Sequence, residues 1–250
     1  MRFRDIFKSD PYPSLKGLTP FGTRLGAVIA PVPFVSVDGA DAVDTRAQIV
    51  KQHDIVHPVM MGTPDEIDSL FDGYANPKKR AHQTLKDAKA IDVQRFFKTR
   101  LAEFQEGHEL LDESFFDWPE SFEPGAGLTS HCDYTGKPHE KILIGLLPTA
   151  QSWQAAAHLQ FGGFNNCPQP EEHVAVHQYW EQRYGAQVVA MTGDSVEFEL
   201  RNPVTEKSIL DQLALEQLVY CDDIVFQGTE TVGGLAASLN GAKHWFFWWD

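Results

Sequence analysis

Two spacings of apolar residues alternate along this chain of 250 residues. Short unbroken runs rich in β-branched side chains predict strands at Gly26–Ala30, Phe34–Val37, His57–Gly62, Lys141–Leu147, Val188–Met191 and Val196–Leu200. Apolar positions recurring at helical spacing predict helices over Ala40–His53, Glu171–Tyr184, Thr205–Val219 and Thr231–Leu239. The last run, Lys243–Trp249, does not alternate, and five of the final six residues are aromatic. That pattern predicts a strand buried on both faces, inside a sheet.

Polar and turn residues punctuate these runs. Asp38 or Asp41 is placed to cap the first helix, and Ser152 one that runs through His158 and Leu159. Thr63-Pro64-Asp65-Glu66 reads as a helix start: a capping Thr, Pro in the first turn, and acids against the positive helix end. A long helical region follows from Asn76 to Glu106, broken near Ala90–Asp92. Its apolar stripe of Phe96, Phe97, Leu101 and Phe104 is expected to pack onto the sheet. Gly185 closes the Glu171–Tyr184 helix, and Thr192-Gly193-Asp194-Ser195 turns a hairpin with Gly where a positive φ is wanted. Residues 107–139 are irregular, a length of loop that often carries function. The resulting expectation is an α+β (mixed α/β) fold. A central mixed sheet is built from the Gly26, His57, Lys141, Val188, Val196 and Lys243 segments and flanked by helices. It forms one domain over residues 25–250, behind an irregular arm at residues 1–24.

Composition narrows the partners. There are 35 acidic and 21 basic residues, a formal net charge of −14. Phosphate binding needs a basic footprint, so nucleic acid is not expected, whereas a basic protein is. Cys132, Cys167 and Cys221 are too few and too scattered for a disulfide framework, which suits the cytoplasm. The N-terminal residues lack the apolar stretch of a signal peptide, and no run reaches the length of a membrane span.

Candidate chemistry is sparse. His173 and His177 stand four apart, without the Glu of the zinc-protease pattern, and the Lys78–Arg80 cluster reads as a solvated helix face. Ser130-His131-Cys132-Asp133 would need a distant partner to work as a nucleophile and base. No glycine pattern fits a phosphate loop or a nucleophile elbow. No catalytic residue, metal or cofactor is therefore assigned. Two groups remain. Phe115, Phe116, Asp117 and Trp118 form a candidate contact surface in the irregular segment. Glu216, Tyr220, Asp222, Asp223 and Gln227 precede the aromatic run and, with His244, form a candidate ligand or alternative active site.

Three stretches, Leu146–Leu200, Glu216–Gly228 and His244–Asp250, resemble the bacterial family called domain of unknown function 4253. The likeness rests on Tyr184-Gly185-Ala186 before the hairpin, on Glu216-Gln217…Tyr220-Cys221-Asp222-Asp223…Gln227-Gly228, and on the closing Trp245–Asp250. Asp222 stands where the family usually has Pro. His57–Gly62 is similar to an upstream family segment, extending the likeness from about residue 26 to the end. The family brings no catalytic residues with it. The expected function is a non-catalytic cytosolic binding protein, an immunity protein that neutralises a basic bacterial toxin domain through Phe115–Trp118 or Asp222 and Asp223. The alternative is a hydrolase using Glu216, Asp222, Asp223 or His244 over a floor made by the aromatic strand, and a scaffold or oligomer subunit ranks behind both.

Overall fold

The computed structural model describes residues 24–25, 28–29, 32–67, 70, 81–107, 113–122 and 127–250. The expected arm thus falls outside the described residues except for Arg24, and so does the Lys78–Arg80 cluster. The strands are β1 (Arg24–Leu25), β2 (Val28–Ile29), β3 (Phe34–Val37), β4 (His57–Met60), β5 (Ile142–Leu147), β6 (Ala186–Met191), β7 (Ser195–Leu200) and β8 (His244–Trp248). The α-helices are α1 (Ala42–Gln52), α2 (Ala81–Ala88), α3 (Val93–Gly107), α4 (Ala155–Leu159), α5 (Pro170–Tyr184), α6 (Lys207–Tyr220) and α7 (Val232–Ser238).

Six strands make one mixed sheet in the order β3-β5-β4-β6-β7-β8. All neighbours are antiparallel except β4 and β6, which run parallel and meet at Met60 and Ala190. The Gly26 segment is not part of this sheet: β1 and β2 pair with each other. Phe34–Val37 supplies the first strand instead, with Val35 and Val37 buried on one face and Phe34 on the other.

One sheet face carries the larger core, shared with α4 to α7. Opposite lies a smaller core of Val35, Ile142, Ile144, Met60 and their neighbours, closed by Ala42 and Ile49 of α1. Beyond α1's reach, Glu197 of β7 is 1% exposed and holds the irregular segment over the sheet. Its carboxylate accepts from Thr129 N (2.7 Å) and Oγ1 (2.6 Å), and from Ser130 N (3.2 Å) and Oγ (2.6 Å). Four donors satisfy a buried charge that would otherwise be strongly unfavourable.

Several local expectations hold. Thr63 and Glu66 form a reciprocal cap, side chain to backbone in both directions. Gly185 ends α5 at φ 69°, and α2 and α3 are separate helices. Others need correction. Neither Asp38 nor Asp41 caps α1 through its side chain, and Asp38 pairs with Lys141 instead. Ser152 lies in a 3-10 turn before α4, and its hydroxyl bonds Glu181 and Val188. Gly193 does not take a positive φ. Nor does the α3 stripe reach the sheet, because α5 and α6 already cover that face. Phe97 is buried against Tyr179 and Trp180 of α5, making α3 an outer layer.

The aromatic run is the largest correction. β8 is the edge strand of the sheet, not an interior one. Trp245, Phe247 and Trp249 point into the helical core, while Phe246 is 47% exposed and His244 and Trp248 are half-buried. Bulk on both sides of a strand looks the same in sequence whether one face or two are covered.

Candidate functional site

The helical period divides the acidic-polar cluster of α6 between two environments. Glu216 and Tyr220, four apart, face α5. Glu216 accepts from Tyr179 Oη (2.9 Å), Trp180 Nε1 (3.0 Å) and Gln212 Nε2 (3.0 Å), and burial pushes its carboxyl above the usual carboxylate range. Tyr220 Oη lies 2.6 Å from His173 Nδ1 and 2.7 Å from His177 Nε2, and His173 Nε2 lies 3.2 Å from Cys167 Sγ. His177 Nδ1 has no partner among the described residues. The arrangement that satisfies most groups puts the His177 proton on Nε2, donating to Tyr220. The Tyr220 hydroxyl then donates to His173 Nδ1, and His173 Nε2–H to Cys167. Burial holds His177 near 3 and His173 well below its usual value, and lifts the Tyr220 and Cys167 groups, so all four side chains stay neutral at physiological pH. The two histidines are thus core groups that share one tyrosine hydroxyl. Among the described residues no group of three His, Cys, Asp or Glu side chains could hold a metal.

Gln217, one residue on, faces the other way. It lines a groove of about 420 Å3 between β8 and the segment from Asp223 to Leu239. Two hydrogen bonds join the groove's walls at one end. The Cys221 thiol donates to Trp248 O (2.9 Å), and Asp223 Oδ2 accepts from Asp250 N (3.1 Å). Asp223 Oδ1 accepts from Gln227 Nε2 (2.7 Å). Thr231 caps α7 by accepting from Gly234 N, and α7 presents Leu235 and, just past its end, Leu239 to the groove. Apolar surface predominates, from Ile224, Leu235, Leu239, Trp245, Phe246 and Trp248. Two donors in its walls lack partners among the described residues: Gln217 Nε2 and Trp245 Nε1, on side chains 1% and 2% exposed. An orphaned buried donor costs about 1–3 kcal/mol, so each favours an acceptor brought in from outside.

Of the residues singled out in the sequence, the structure brings Asp223, Gln227 and His244 into this groove and sends Glu216 and Tyr220 into the core. Asp222 lines a different cleft, beside Arg100 and Cys167. The Phe115–Trp118 group is divided too. Phe115 is buried on Phe226, Phe116 and Asp117 are exposed, and Trp118 donates to Asp211 Oδ1 (2.7 Å) beneath the Lys207 ammonium. Reading the sequence named Gln217 beside Glu216 and the aromatic strand that carries Trp245, and missed Leu235, Leu239 and Thr129. The two leucines look like ordinary core, and Thr129 carries no local signal.

Residues 143–250 match the model of the family described as Domain of unknown function (DUF4253). The match begins inside β5, so the likeness of His57–Gly62 lies outside it. All groove residues but Thr129 fall within the matched span. No curated protein and no solved structure matches the chain.

Proposed function

Taking residues 143–250 as a DUF4253 domain, we propose that this chain is a non-catalytic binding protein, an immunity protein that covers and neutralises a basic bacterial toxin domain in the cytoplasm. The observation that carries this reading is the groove. It is apolar and open, is built by the matched segment except for Thr129, and holds two buried donors with nothing to bond among the described residues. Such a site suits recognition: apolar anchors supply affinity and a few polar groups fix orientation. The net charge of −14 favours a basic partner and speeds its approach. Among the described residues no helix is long and apolar enough to cross a membrane.

The hydrolase reading draws on Asp223 and His244 sharing the groove. It is weaker because both Asp223 oxygens already accept hydrogen bonds, and Glu216 is committed to α5 and its own helix. The test is retention of one stoichiometric basic protein by the tagged full chain, weakening as salt rises. Expression of that protein with and without this chain follows, with growth as the readout. Restored growth is expected. Retention of nothing, or growth that stays arrested, would overturn the reading.

A further inference from the structure

The edge of β8 has a pattern that the groove alone does not explain. Lys243 O accepts from Leu200 N, and Trp249 N donates to Asp194 O. Residues of odd number therefore bond β7, and His244, Phe246 and Trp248 turn their backbone groups away from the sheet. Towards the C-terminus this outer edge is occupied. Trp248 O takes the Cys221 thiol, and Asp250 N reaches Asp223. Over His244 and Phe246 it is open, since no described strand or backbone group pairs there. An open edge beside an apolar groove is the geometry of strand addition, in which backbone hydrogen bonds hold a peptide and alternate side chains enter pockets.

We propose that the outer edge of β8 at His244 and Phe246 docks an extended segment of a basic protein, one of whose side chains enters the groove walled by Leu235, Leu239 and Trp245. The proposal rests on the binding reading above and names its mode. Side chains of an added strand alternate between the two sheet faces. One faces Leu235 and Leu239, and its neighbours lie along the exposed Phe246 ring, which lines the groove from the other face of β8. The anchor has an apolar body ending in an oxygen that accepts from Gln217 Nε2 or Trp245 Nε1, and tyrosine meets both demands. Asp223 is the one carboxylate among the described lining residues, and no Lys or Arg lines the groove. Lys or Arg flanking the anchor therefore matches the charge. A second copy of this chain fits badly, because edge-to-edge pairing would bring two chains of charge −14 together.

Gly228 supplies the test. It lines the groove, its φ is not in the left-handed region, and a Cβ there meets nothing within 4 Å. Gly228→Trp therefore adds an indole at the groove's lining and leaves the fold unstrained, which circular dichroism and the urea midpoint verify. Random peptides displayed on phage are panned on the full chain, with Gly228→Trp as the counter-selection. Expected are alternating sequences with a tyrosine and Lys or Arg flanks, binding the variant at least about tenfold more weakly. N-methylation of the selected peptide at every second backbone nitrogen abolishes binding, and at the intervening nitrogens does not. Equal effects at all nitrogens, acidic winners, or no enrichment over the counter-selection would overturn the proposal, as would a dimer of this chain that Gly228→Trp dissolves. A basic partner that binds Gly228→Trp as tightly as the unaltered chain would sink the β8 site alone and leave the binding reading standing. Absence of any basic partner would sink the binding reading itself.

Discussion

Tyr220→Phe removes one oxygen from the middle of the helical core and no carbon. The phenyl ring keeps its edge contacts with Trp180, Phe247 and Trp249, so packing is preserved. What disappears is the only group that bonds the His177 ring among the described residues. Its Nδ1 already lacks a partner, and Nε2 would lose the Tyr220 hydroxyl at 2.7 Å. Whichever nitrogen carries the proton, one N–H is then buried and unpaired. That costs about 1–3 kcal/mol, and the bond lost to His173 adds about 1 kcal/mol. The sum, about 2–4 kcal/mol, is a large share of the roughly 5–15 kcal/mol that keeps a domain folded. Urea unfolding of the full chain at neutral pH, followed by tryptophan fluorescence, reads the change as a lower midpoint at unchanged slope. The thermal midpoint should fall by roughly 5–15 °C. Adding His177→Leu to Tyr220→Phe should destabilise by less than the two single changes summed, since the leucine leaves no donor to orphan. A loss under about 0.5 kcal/mol for Tyr220→Phe would refute the hydrogen-bond assignment, because that is the range of inert surface changes.

Other outcomes follow from the same coordinates. Burial holds His177 near pH 3 and His57 near pH 4, while the unfolded histidines titrate near 6.5. The unfolded state therefore binds more protons below neutrality. Stability is complete above about pH 6.5 and is lost as pH falls towards those folded values, with about 2 kcal/mol gone at pH 5 from His177 alone. Urea midpoints across that range that stay flat would contradict the buried neutral imidazole. Gly233→Ala places a methyl 1.8 Å from Asp117 O, so the turn at residues 113–118 must lift from α7. A destabilisation of about 1–3 kcal/mol is expected, with Trp118 more accessible to a fluorescence quencher, while Gly228→Ala has no comparable effect. Glu197→Ala strands the four donors of Thr129 and Ser130 and should cost about 2–3 kcal/mol, with faster amide exchange at both residues. Unchanged exchange there would show that the strap is held by something else.

The features legible in the sequence are those whose causes are local. The Thr63–Glu66 cap, the glycine stop after α5, the hairpin and the buried face of Val174, His177, Trp180 and Tyr184 all depend on spacing within a few residues. The acidic-polar cluster was visible as a cluster, but its division was not, because Glu216 and Gln217 are neighbours in sequence and point to different elements. The hydrogen bonds from Cys221 to Trp248 and from Asp250 to Asp223 depend on two distant segments meeting. Strand order has the same character. Nothing around Lys243–Trp249 encodes how many neighbours that strand has, so edge and interior positions read alike.

The parallel joint between β4 and β6 changes what the family boundary means. β4 lies between β5 and β6 in the sheet, yet its residues precede the matched span, which begins at residue 143. The matched segment thus supplies strands on both sides of a slot that it does not itself fill. Cut out as a recombinant fragment, residues 143–250 would present two unsatisfied ladders around that gap and lose the His57 to Val188 bond across it. Such a fragment should polymerise or recruit a foreign strand, because the matched span is smaller than the unit of folding.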